Sequence, residues 1–148
     1  HLVEAFKSTL EEARYADFIL HVADSSNPQM EVQMETVYET LSELGVTGKT
    51  VITLFNKKDL TEGEEMPKDL IASRTLAISA VTGEGLEELK NLLEKVLQES
   101  RVLMEKVYPY AQAGDIARIR KYGQVVEEEY REDGIYIKAF LPRTEKDL

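Results

Sequence analysis

Lys49-Thr50-Val51-Ile52-Thr53-Leu54-Phe55-Asn56-Lys57-Lys58-Asp59-Leu60 carries an apolar run directly into a charged turn. The run from Lys49 to Asn56 reads as a buried strand, and the segments on either side repeat the theme. Upstream, Asp17 to Asp24 is short, mostly apolar and flanked by polar residues, which suits a strand covered on both faces. Downstream, Arg74 to Ser79 supplies a third strand. Helical spacing fills the gaps between them. Val3, Phe6, Leu10 and Ala13 mark a first amphipathic helix. Met30, Met34, Val37, Leu41 and Leu44 mark a second, opened by Asn27 as N-cap with Pro28 at the first helical position and closed by Gly45. A third helix turns Leu86, Leu89, Leu93 and Leu97 inward and Glu87, Lys90, Glu94 and Lys95 outward. Elements in this order predict an α/β fold: a parallel sheet with flanking helices. Ligands of such sheets sit beyond the carboxyl ends of the strands, so the residues just after each strand are the ones to inspect.

The tail follows a different pattern. Val102 to Tyr108 predicts a strand stopped by Pro109, and Asp115 to Tyr122 a short helix stopped by Gly123. Gln124 to Arg131 and Ile135 to Leu141 predict two strands joined at Glu132-Asp133-Gly134, where Asp-Gly is a strong hairpin signal. Ile135, Ile137, Ala139 and Leu141 share one face. The expected tail is a small α+β unit of βαββ order. Charge supports a division near Ser100: residues 1–100 carry 9 basic and 19 acidic side chains, residues 101–148 carry 9 and 9. Two domains are therefore expected, residues 1–100 and 101–148.

Over all 148 residues the formal charge is −10, which excludes a generally basic nucleic-acid coat. With 43% apolar residues the chain can bury a sizeable core. Zero cysteines remove disulfides and thiol chemistry, and two separated histidines make a histidine-rich metal site improbable. No apolar run approaches the roughly 18 residues that cross a bilayer, and no signal peptide opens the chain. The expectation is a cytoplasmic protein with no membrane-spanning segment. The first residue is His1 and an apolar helical pattern is already under way at Leu2, so the chain reads as a piece of something longer.

The turn after the central strand suggests chemistry. A carboxylate at Asp59 can accept two hydrogen bonds from adjacent N–H groups, which is what the N1 and N2 edge of guanine presents and adenine lacks. Asn56 can hold the loop and reach the purine, while the stem of Lys57 can lie over the base plane. Alone, this string is equally a helix-initiating turn with solvated charges. About twenty residues on, after the next strand, come Ser79 and Ala80 in Ile78-Ser79-Ala80-Val81-Thr82-Gly83-Glu84-Gly85. Backbone N–H groups there can serve the guanine O6. Two such loops, each after a parallel strand, converge on one crevice.

Together these strings resemble the base-recognition half of a P-loop GTPase, with NKxD at Asn56 to Asp59 and the S-A motif at Ser79 and Ala80. The phosphate half is missing. Gly48-Lys49-Thr50 looks like the end of a phosphate loop, but Glu43 stands where its first glycine belongs and a strand follows in place of a helix. The opening HLVEAFKSTLEEARYADFILHVADSSNP and the tail features Pro109-Tyr110, Gly114-Asp115 and Val126 to Tyr130 are similar to the HflX family. That resemblance implies a GTPase that associates with the large ribosomal subunit and helps split or rescue stalled ribosomes. It implies GTP and GDP as ligands, with Mg2+ only in the full-length parent. It implies Asn56, Lys57, Asp59, Ser79 and Ala80 as base contacts, and no catalytic or metal residue in this piece, which alone is expected to be inactive.

Arg118, Arg120 and Lys121 cluster beside Tyr122; they are either a contact to ribosomal RNA phosphates or protein, or a solvated helix face. Glu127, Glu128 and Glu129 alternate across a strand and suit an exposed edge rather than a metal. His21 is expected to be a hydrogen-bonded structural residue, Asp24 a cap of backbone N–H groups, and Glu62, Glu64 and Glu65 solvated loop residues. A reading of another class remains open: a noncatalytic ribosome- or protein-interaction module whose two loops are ordinary turns.

Overall fold

The computed structural model describes residues 7–145. Val3 and Phe6, half of the apolar face expected for the first helix, lie outside the described residues. Residues 7–10 are helical and tighten into a 3-10 turn, Glu11–Tyr15. Three parallel strands follow in the order β1-β2-β3: β1 is Phe18–Asp24, β2 Thr50–Asn56 and β3 Arg74–Ala77. Asp24 pairs with Asn56 and Phe55 with Ala77, so all three strands end at one edge.

Helix α1, Met30–Glu43, joins β1 to β2. Asn27 caps from farther out than expected. Its side-chain oxygen accepts from Gln29 N–H at 2.9 Å and its carbonyl from Met30 N–H at 3.0 Å, so a turn precedes the first helical residue. At the other end Gly45 N–H donates to Ser42 O and Val46 N–H to Leu41 O, both at 2.9 Å, a Schellman closure with Leu41 and Val46 in one apolar cluster. Met30 and Met34 pack with Ala23, Phe55 and Ala77. The pattern of core residues on α1 is as the spacing predicts.

Helix α2 is Leu86–Ser100. Its most buried side chain is Val96, while Leu86 is 40% exposed against the inward position expected of it. A helical side chain covers the turn preceding its own Cα, and Leu86, the first helical residue, has no such turn. The chain divides into two compact units between Asn91 and Leu92, inside this helix rather than at its end.

In the second unit β4 (Arg101–Tyr108) is followed by α3 (Ala113–Tyr122), β5 (Gln124–Arg131) and β6 (Gly134–Pro142). The antiparallel order is β4-β6-β5, with β6 central. One core gathers Tyr108, Ile116, Ile119, Ile135, Ile137, Ala139 and Leu141. The expected βαββ unit and its apolar face are present. The hairpin turns one residue earlier than Asp-Gly suggests: Arg131 pairs with Gly134, leaving Glu132 and Asp133 as the loop.

Candidate functional site

The edge where β1, β2 and β3 end carries three short loops, and hydrogen bonds tie each to its neighbour. Lys57 leaves β2 at φ +66°, the one non-glycine residue with positive φ among the described residues. That bend sends the chain back across the sheet edge, where Lys58 N–H donates to Ile78 O at 3.0 Å. Asp59 thereby meets the loop after β3. Ser79, fully buried, donates its hydroxyl to Asp59 Oδ1 at 2.7 Å, and Ala80 N–H donates to Asn56 Oδ1 at 3.0 Å. Asn56, Asp59, Ser79 and Ala80 are thus brought together as the two motifs suggest.

The loop after β3 is closed upon itself. Ser79 N–H donates to Glu84 O at 2.9 Å and Gly83 N–H to Ser79 O at 2.8 Å. Gly85 lies so near β3 that a β-carbon there would stand 2.7 Å from Ala77 O, with φ at +78°. No amino acid but glycine fits both conditions there.

Two ion pairs splay the consecutive lysines apart. Lys57 Nζ lies 2.7 Å from Asp24 Oδ2, and Lys58 Nζ 2.6 Å from Glu84 Oε1. The Lys57 hydrogen bond, then that from Ser26, holds the Asp24 carboxyl below its usual range. Glu84 raises Lys58 in turn. Asp24 also caps its own turn, accepting Ser26 N–H at 3.0 Å as expected of it. Ser25 donates both its N–H, at 3.0 Å, and its hydroxyl, at 2.5 Å, to Asn56 O. A separate cavity of about 190 Å³, lined by Ser25, Phe55, Lys58, Ala77 and the loop through Pro67, includes none of Asn56, Lys57, Asp59 or Ser79.

Among known proteins, a GTPase HflX from Lacrimispora saccharolytica is 56% identical over 96% of this chain and 34% of its own length. A GTPase HflX from Chlamydia pneumoniae is 36% identical over 96% of this chain and 30% of its own. The chain belongs to the HflX family. It spans about a third of the length of the HflX relatives it matches. A solved GTP-binding protein from Sulfolobus solfataricus, in complex with GDP, superposes with a TM-score of 0.54 at 26% identity, over 64% of this chain and 35% of that one. No family model matches the chain.

Two residues of this HflX segment, His21 and Glu128, sit differently from their sequence-based expectation, and others gain partners. His21 is buried, but its Nδ1 has no hydrogen-bond partner; its ring meets Tyr38 edge-on at 5.2 Å between centroids. Lys49 of the apparent phosphate loop donates its ammonium to Ala16 O at 2.6 Å, a bond that fixes the approach to β1. In the tail, Arg118 pairs with Glu145 at 2.5 Å, Arg120 pairs with Glu128 and Lys121 lies over the Tyr122 ring. A bulge at Val126 aligns Glu128 with Ile137 on the core face of the sheet, where Arg120 meets it. Ser25 and Glu84 went unnoticed in the sequence. The signal that finds Ser25 is register: once β1 and β2 are parallel with Asp24 opposite Asn56, the next residue must abut the loop.

Proposed function

We propose that this chain is the base-recognising part of a guanine-nucleotide switch protein. The observation that carries the reading is the joined pair of loops, with Ser79 on Asp59 and Ala80 on Asn56. The donor and acceptor set fits a guanine. Ser79 occupies one side of the carboxylate and leaves Asp59 Oδ2 to accept from the N1 and N2 donors. Ala80 N–H is the donor assigned to O6; in the chain alone it serves Asn56, so nucleotide entry exchanges or shares that bond. Asn56 would hold the loop and reach the purine, and the Lys57 stem would cover the base. The names of the HflX relatives and the GDP in the Sulfolobus complex support the same ligand class.

Hydrolysis, the phosphates and Mg2+ belong in this reading to segments the chain does not carry; the nucleotide supplies the phosphoryl group and these residues only bind and orient it. For the whole protein we propose a cytoplasmic GTPase that associates with the large ribosomal subunit, in splitting or rescue. Among the described residues no helix is long and apolar enough to cross a membrane.

In the whole protein, Asp59→Asn is expected to weaken GTP binding by about 1.5 to 3 kcal/mol, the worth of a hydrogen bond to a charged group, and to improve xanthosine triphosphate binding, because an amide donates where a carboxylate only accepts. Titration calorimetry with both nucleotides measures this; equal GTP affinity in mutant and wild type sinks the assignment. For ribosome contact, co-sedimentation with large subunits decides whether Arg118→Glu with Arg120→Glu releases the protein. Unchanged pelleting removes both residues from the interface and leaves them as partners of Glu145 and Glu128.

A further inference from the structure

Lys57 combines two unusual constraints. Its backbone is left-handed at φ +66°, a conformation that residues with a β-carbon adopt at a cost. Its ammonium is held 2.7 Å from Asp24 Oδ2. The carboxylate is itself immobilised before it meets the lysine, because Oδ1 accepts both Ser26 N–H at 3.0 Å and Ser26 Oγ at 2.7 Å. The preceding carbonyl, Asn56 O, is fixed by Ser25 from the same turn. One turn at the end of β1 therefore grips both the entry to the lysine backbone and the far end of its side chain. The stem between these two points has little room to swing.

We infer that Asp24 is a positioning residue of the guanine site, acting through Lys57: it keeps the lysine stem stretched along the loop, where the base plane is to be covered. The inference rests on the nucleotide reading above. A purely local role for Asp24, capping its own turn through Ser26, makes a different forecast. Asp24→Asn separates the two, since an amide oxygen still caps Ser26 but brings no charge to Lys57.

The test is a double-mutant cycle in the whole protein, read by titration calorimetry with GDP. The variants are Asp24→Asn, Lys57→Met, which keeps an unbranched stem, and the pair. Both side chains are partly exposed, at 47% and 32%, so the expected loss for Asp24→Asn is about two- to fivefold, as for other exposed ion pairs. It should shrink at high salt. In the Lys57→Met background the same change should cost nothing further, because coupled residues are not additive. Equal loss in both backgrounds assigns Asp24 to its turn and overturns the inference, as does no loss in the wild type. Asp59→Asn in the same titration keeps the two readings apart. If it leaves GDP affinity intact, the nucleotide reading falls and this inference with it; if it weakens GDP while Asp24→Asn does not, this inference falls alone.

Discussion

His21 is 7% exposed in β1, with Nδ1 unpartnered, and burial lowers its pKa from the usual 6.5 while Asp69 pulls it the other way. Asp69 is the hub beside it. Its Oδ2 accepts from Tyr38 OH and Thr53 Oγ1, each at 2.6 Å, and its Oδ1 from Ile71 and Ala72 N–H. Desolvation works to raise the Asp69 carboxyl, but the bonds from Thr53, Tyr38 and the backbone win and hold it low. Tyr38, half-buried and bound to that anion, is pushed up to about 12. Burial outweighs the pull of Asp69, so the neutral imidazole suits this site better than the imidazolium. As pH falls through 6.5 the unfolded chain takes the proton before the folded one does. Stability due to His21 is therefore complete above 6.5 and lost as pH falls toward the lowered folded value, with a slope of at most about 1.4 kcal/mol per pH unit. His21→Phe should flatten the decline in urea unfolding free energy between about pH 7.5 and 5.5. An unaltered slope in the variant assigns the decline to other groups.

At the scale of elements, the β5–β6 hairpin illustrates what can be read along a chain and what cannot. Alternation in Ile135, Ile137, Ala139 and Leu141 announces a strand with one buried face, and all four side chains are buried. The placement of Gly134 depends on a strand nearly thirty residues upstream: a β-carbon there would lie 2.2 Å from Tyr108 O. Gly134→Ala is expected to destabilise by about 1 to 3 kcal/mol, as overpacked sites do, measured as a shift in denaturant midpoint; a neutral result means β4 and β6 part without cost. The same contrast runs through the site. Strand ends and turn residues are periodic or local signals, so Asn56, Asp59, Ser79 and Ala80 can be picked out one string at a time. The Asp24–Lys57 and Lys58–Glu84 pairs join residues 33 and 26 positions apart, and only the parallel register brings them into reach. The ion pairs of the α3 arginines are hidden for the same reason, since their partners Glu128 and Glu145 lie on elements whose approach no helical pattern encodes.

Across the whole molecule, the second unit's buried cluster and the candidate site draw on different elements. The second unit's core draws its buried residues from β4, α3 and β6 alone, whereas the bonds of the candidate site all join β1, β2, β3 and the loops after them. A ligand that binds only the folded site stabilises what must be ordered to hold it, by about 2.7 kcal/mol at a hundredfold excess over its Kd. Hydrogen exchange in the whole protein therefore has a defined expectation. With GDP at that excess, protection should rise at Lys58, Ser79 and Gly83, whose N–H groups close the two loops on Ile78 O, Glu84 O and Ser79 O. Ala80 N–H, given to Asn56 in the chain alone, should change most, since it either gains a second acceptor or trades one for another. Amides of β6 such as Ile137, within the second unit's own cluster, should keep their own rate. Protection confined to β6, with the loops unaffected, would place the nucleotide elsewhere and leave the two joined loops as a structural turn.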